Sequence, residues 1–169
     1  EAAQALSERT IAGLKQEIAR LAGELAQANA RLAMYDEILR ARATPGVQIV
    51  APSFTRRGRQ LRYRFAVVKG GSAPRWFHGR LALLAWAGEQ SLPIIADDDP
   101  AATLRIETHA IVEGKADLPE GFAPREAEIV IYDRRGREIA RTSQPITEED
   151  HAQEETQNAT GGHGGEHGD

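Results

Sequence analysis

The chain has 169 residues, 41% of them hydrophobic and 27% charged, with a formal net charge of −4. That length suits one ordinary domain plus extensions, and the hydrophobic share is what a chain that is part coiled coil and part polar tail would show. Cysteine is absent, which excludes a disulfide framework, a thiolate nucleophile and a thiolate metal site, and no apolar run is long enough to cross a bilayer.

Charge is spread unevenly. Residues 1–46 balance six basic against six acidic side chains, residues 47–147 carry fifteen against twelve, and residues 148–169 carry seven acidic and no basic ones. A mildly basic centre followed by an acidic end is the pattern to explain. Arginine outnumbers lysine eighteen to three, which reads as compositional bias. The first residue is Glu1, so the expectation is that a signal or membrane segment has been removed or that the natural start is missing.

The first element organises the rest. Apolar residues fall at Ile11, Leu14, Ile18, Leu21, Leu25, Ala28, Leu32, Tyr35 and Leu39, in alternating steps of three and four. This 3.5-residue repeat makes a narrow seam on an α-helix and asks for a second copy to cover it. With Ile11 at heptad position a, Ile18, Leu25, Leu32 and Leu39 share a, and Leu14, Leu21, Ala28 and Tyr35 occupy d. Isoleucine at a with leucine at d in the first heptads favours two parallel strands, while Ala28 and Tyr35 loosen the later layers. Arg31 and Asp36 form an expected interchain g–e′ pair of small worth. The helix is predicted from the first residues to about Arg42, roughly 60 Å at 1.5 Å per residue, with Thr44-Pro45-Gly46 as its linker.

From Val47 the period changes to two. Leu61, Tyr63, Phe65 and Val67 alternate with Arg62, Arg64 and Ala66, a half-buried strand with one solvated face. Further strands are predicted at 47–54, 76–86, 90–95, 104–113, 125–132 and 137–143, with Asp133 to Gly136 turning the last two into a hairpin. Seven strands in about 100 residues with no helical period indicate an immunoglobulin-like antiparallel β-sandwich. The fold class expected is therefore α+β: coiled-coil helix 1–43, linker 44–46, sandwich 47–146. After Pro145 apolar residues nearly vanish, and 147–169 reads as a disordered acidic tail rich in glycine and histidine.

Chemical motifs are sparse. His151, His163 and His167 with neighbouring carboxylates lack the placed geometry a metal site needs. Asp97-Asp98-Asp99 lacks the spacing of a calcium loop. His78 and His109 have no serine or carboxylate at triad-like spacing, and no nucleophile elbow, zinc motif or phosphate loop occurs. No enzyme, cofactor or metal is expected. Two basic strings are the main candidates for partner binding: Arg56, Arg57, Arg59, Arg62 and Arg64, and, in a second Arg-Arg-Gly-Arg copy, Arg134, Arg135 and Arg137. They suit solvated faces, an acidic protein or an anionic surface; nucleic acid is disfavoured because no exposed aromatics lie between them. Trp76 and Trp86 read first as core, with an exposed face as an alternative anchor for a partner.

The order of parts, with Leu118-Pro119-Glu120-Gly121-Phe122-Ala123-Pro124 before the strand Ala127 to Tyr132, resembles a poorly characterised proteobacterial family of single-span inner-membrane proteins. Its members have a periplasmic coiled coil and a C-terminal β-domain. The resemblance covers residues 5–145 and implies an inner-membrane anchor ahead of Glu1, a periplasmic soluble part, and an association with bactofilin and cell-wall peptidases. Together these lead to a non-enzymatic, dimeric envelope scaffold whose stalk presents an interaction module. Alternatives are a periplasmic adaptor of a secretion, efflux or pilus assembly, and a glycan- or peptidoglycan-binding module marked by aromatics on one open sheet face.

Overall fold

The structure, a computed structural model, describes residues 2–149. Helix α1 spans Ala2–Arg42, built from alanine, leucine, glutamate, glutamine and arginine, which lose little freedom in a helix. Its last turn tightens, with Ala43 N donating to Arg40 O at 3.2 Å and Thr44 N to Ala41 O at 3.3 Å, which satisfies carbonyls the helix would otherwise leave open. Strands follow: β1 (Gly46–Arg57), β2 (Gln60–Gly70), β3 (Phe77–Ala87), β4 (Gln90–Pro93), β5 (Thr103–Ile106), β6 (His109–Asp117), β7 (Glu126–Asp133), β8 (Glu138–Pro145) and β9 (Thr147–Glu148). The class is α+β, one long N-terminal helix followed by β-sheets that are antiparallel except where β9 runs parallel to β1. One sheet has the order β6-β2-β1-β9 and the other β4-β3-β7-β8, with β5 also paired to β3.

Both sheets feed one core. Phe54, Leu61, Phe65 and Val67 from the first meet Leu81, Leu83, Ile129 and Ile131 from the second, and the rings of Phe54 and Phe65 stack at 6.5 Å between centroids. Each such fully buried side chain is worth about 1.5–3 kcal/mol. The predicted turn closes as expected: Gly136 N donates to Asp133 O at 3.0 Å, with Gly136 at φ +79, a backbone state glycine reaches without strain.

The strand predicted over 104–113 is two. β5 ends at Ile106 on β3 and β6 opens at His109 on β2, in the other sheet. Leu104, Ile106, Ala110 and Val112 all turn towards the shared core, so the alternation runs unbroken while the chain changes sheets. At the far end Thr147 and Glu148 pair with Thr55 and Arg56, which carries ordered backbone past the boundary expected at 146.

The rod does not stand clear of the head formed by β1–β9. Met34, Ile38 and Ala41 are buried against Ala66 and Val68 on the outer face of β2, so the face of 61–67 expected to be solvated is partly covered. A Cβ on Gly70 would lie 1.7 Å from Thr44 O; only glycine lets β2 meet the end of the helix, and Gly71 N donates to Arg42 O at 3.1 Å. The segment 43–45 is thus a pinned corner. From it α1 runs back along the sheet, with Ala30, Ala33 and Met34 beside Ala51, Pro52 and Ser53, where β1 bulges. Every residue from Ala2 to Ala33 is exposed, and this free length leaves the head at the β1–β2 turn.

Candidate functional site

Two surfaces carry the functional candidates, and the first is the seam. Ile11, Leu14, Ile18, Leu21, Leu25, Leu32, Tyr35 and Leu39 keep between 46 and 68% of their surface exposed, and Ala28 is exposed with them. At 3.6 residues per turn, Leu32, Tyr35 and Leu39 point about 130° around the axis from the stripe formed by Met34, Ile38 and Ala41. The helix therefore spends one stripe on its own head and leaves the other open. Tyr35 is where the two regions touch, its ring edge-on to that of His109 at 6.4 Å.

The basic strings are the second surface, and they are not one. Arg56 faces Leu61 across the β1–β2 turn, and Arg59 O accepts from Leu118 N, which places this hairpin with β9 at one end of the head. β3 opens at Phe77 beside Ile106, three residues before β6 opens beside Val68, and Asp133 lies opposite Gly79. The β7–β8 turn is thus at the other end, where β2 finishes. A shared landing surface for both tips is excluded by this geometry.

Their arginines also differ in occupation. Arg56 forms an ion pair with Glu148, Arg59 Nε donates to Leu118 O at 3.1 Å, Arg64 lies 3.9 Å from Glu113, and Arg57 is engaged as well. Arg62 lines a shallow groove with Arg64 and Lys115. At the opposite end Arg137 is bound to Asp133, whereas Arg134 and Arg135 border a hollow with Trp76 and His78. An adjoining hollow of about 420 Å³ adds Arg80 and Arg105. Neither of those two was readable as a site residue: His78 and Arg105 become neighbours only through the β3–β5 register.

Both tryptophans lie outside the core between the sheets, half-buried on the same side of β3. The Arg105 guanidinium sits 4.7 Å above the Trp76 ring, and the buried Trp86 Nε1 has no hydrogen-bond partner. Tyr132 pairs opposite Arg80, six residues from Trp86 along β3, a separation of roughly 20 Å at the rise of a strand.

His78 is held below the usual histidine range, first by burial and then by the Arg134 and Arg105 charges. His109 Nδ1 lies 3.2 Å from Thr108 Oγ1. Asp99 Oδ1 accepts from Ala101 N at 2.9 Å, so this carboxylate of the acidic run caps a 3-10 turn. Among the described residues no group of three or more histidines and carboxylates is placed to hold a metal, and no helix is long and apolar enough to cross a membrane. His151, His163 and His167 lie outside the described residues.

No family model matches the chain, and no curated protein does. Solved structures similar to it include a DUF3823 family protein from Bacteroides ovatus, at 15% identity over 62% of this chain and 56% of that one, with a TM-score of 0.38. Another is the alkylpurine DNA glycosylase AlkC of Pseudomonas fluorescens, bound to DNA containing an abasic site analog, at 8% identity over 61% and 31% with a TM-score of 0.37. A third is a Niemann-Pick type C2 protein from the Japanese carpenter ant, at 8% over 61% and 89% with a TM-score of 0.36. The chain spans about half the length of the first and a third of the second. Likeness this distant leaves the functional argument to the chain's own residues.

Proposed function

We propose that this chain is a non-enzymatic scaffold, a parallel coiled-coil dimer whose rods carry two immunoglobulin-like β-sandwich heads as interaction modules. One observation carries the reading: a heptad seam of nine residues stays open on a helix that already uses a different stripe to hold its own head. A free-standing helix gains most of its stability from burying an apolar face, and the seam offers such a face only to another chain. Pairing doubles the head, so weak contacts to a repeated partner gain through effective concentration. The resemblance in the loop at Leu118–Pro124 supports the outer part of the proposal: an inner-membrane anchor ahead of the rod, heads in the periplasm, and a role between a bactofilin-type polymer and cell-wall enzymes.

The test is orientation as well as number. The chain has no cysteine, so Leu25→Cys introduces the sole thiol, at an a position where parallel helices bring like residues together. Mild oxidation should give a near-complete disulfide-linked dimer at micromolar protein. A dimer in sedimentation equilibrium that resists this cross-link would mean antiparallel rods, and a monomer would end the scaffold reading.

A further inference from the structure

At the end of the head remote from the departing rod, we propose a binding site for a phosphate-type oxyanion, formed by Arg105, Arg134 and Arg135 around His78. The inference rests on the head's being an interaction module and names what one end of it takes.

Charge balance is the first support. Five arginines border the two adjoining hollows, against one carboxylate, Asp133. That carboxylate is already used: Oδ1 accepts from Arg135 N and Arg137 N, both at 2.9 Å, and Oδ2 from Arg137 Nε at 3.2 Å. Arg80 gives Nη2 to Asp97 O at 2.6 Å. The guanidinium groups of Arg105, Arg134 and Arg135 make no ion pair with a described carboxylate. At the other end of the head Arg56 and Arg59 of the equivalent string are engaged by Glu148 and Leu118 O, whereas here Arg137 alone of the string's guanidinium groups has a described carboxylate partner.

Geometry is the second. Arg105 sits 4.7 Å over the Trp76 ring, a cation–π contact that does not consume the N–H donors of the guanidinium. Arg134 and Arg135 come from the β7–β8 turn and Arg105 from β5, so donors approach the hollow from separate elements. A carboxylate has two coplanar oxygens and is satisfied by one arginine fork; a tetrahedral phosphate accepts from several forks arriving from different sides. Placement decides the source. α1 leaves the head at the β1–β2 turn, so the hollow faces away from whatever the rod is rooted in, and the phosphate is one borne in solution or on a partner beyond the head rather than on a lipid.

His78 supplies an internal reporter. It faces Arg80 on its own strand, Arg105 on β5, and Asp133 and Arg134 on the hairpin, and the arginine charges lower its pKa. An oxyanion in the hollow offsets those charges and raises it.

The experiment is a titration of the full chain with inorganic phosphate at constant ionic strength, followed by NMR of the imidazole and indole side chains. Saturable shifts should appear at His78 and Trp76 but not Trp86, and the His78 titration curve should move to higher pH. Arg105→Gln with Arg134→Gln should weaken the apparent affinity at least tenfold, and Arg62→Gln, at the other end, should leave it unchanged. The single Arg134→Gln, which alters only an exposed turn, serves if the double variant misfolds. Shifts that grow linearly, that acetate matches, or that follow Arg62→Gln would overturn the site. Binding to phosphatidylglycerol vesicles that the double variant abolishes would overturn the non-lipid source. Sedimentation of the same samples separates the two proposals, since a monomer that binds phosphate sinks only the dimer and a dimer that ignores it sinks only the site.

Discussion

The two apolar stripes of α1 differ in length, composition and partner. The sheet-facing stripe is Met34, Ile38 and Ala41, two large side chains and a methyl, confined to the last two turns and fully covered. The seam runs from Ile11 to Leu39 at heptad spacing and stays exposed along its length, touching the head at Tyr35. A short stripe locks direction: together with the glycine contact at Gly70 it sets the angle at which the rod leaves the head. A long one sets strength, because apolar area accumulates with every heptad. Separating them around the axis lets both act at once, and it turns the comparison into a set of substitutions that should affect one and spare the other.

The largest effect belongs to the seam. Leu21→Lys with Leu25→Lys removes four core leucines per dimer, roughly 6–12 kcal/mol of association at 1.5–3 kcal/mol each, or at least four orders of magnitude in the dissociation constant. Sedimentation should then show monomers, while circular dichroism keeps its β contribution. A dimer that survives would mean that the heads do the pairing and that the seam has another purpose.

The short stripe should respond in the opposite sense. Ile38 is 2% exposed, and Ile38→Ala opens a cavity between helix and sheet at a cost of about 2–5 kcal/mol. The lower end is expected, because the last turns of α1 can lift off before the core between the sheets opens, which caps the loss. A lowered thermal midpoint with an unchanged dimer would confirm the division of labour. If dimerisation fell as well, the two stripes would be coupled through the corner at 43–45.

What the residues disclosed in advance follows from which interactions are local. A long N-terminal helix, its heptad pattern and the 133–136 turn are written in short-range periods and turn residues, and the structure has the helix and the turn. The docked stripe was hidden in an alanine-rich helix, where Met34 and Ile38 add too little signal to stand beside a heptad repeat carried by nine positions. The division of 104–113 was invisible because both halves face one core. Relations across strands were out of reach altogether: the pairing of His78 with Arg105, and the placing of Arg56–Arg59 and Arg134–Arg137 at opposite ends, depend on sheet order and register, which no local pattern encodes. Strand parity did put Trp76 and Trp86 on one face, but only the topology says which face is the core.

Acid should separate the two regions by the smallest but most selective effect. The seam carries no carboxylate, imidazole or amine, so its pairing has no direct protonation step between pH 4 and 8 to lose. Two of the shifted groups described in the head bear on this range. His78 titrates below its usual 6.5, so the unfolded head binds more protons than the folded one, and stability falls as pH drops through that value. Asp133 is held below 3.8, chiefly by the backbone N–H of Arg137, so its contribution is complete above that value and is lost as pH falls through the lower, folded one. Thermal unfolding from pH 7.5 to 3 should therefore show a first decline in the head's midpoint below about 6.5 that His78→Gln removes, and a second below about 4 that Asp133→Ala removes. Sedimentation of the intact chain should meanwhile report the same dimer at pH 7.5 and 5. Dissociation across that interval would show that the two regions are less independent than their geometry implies.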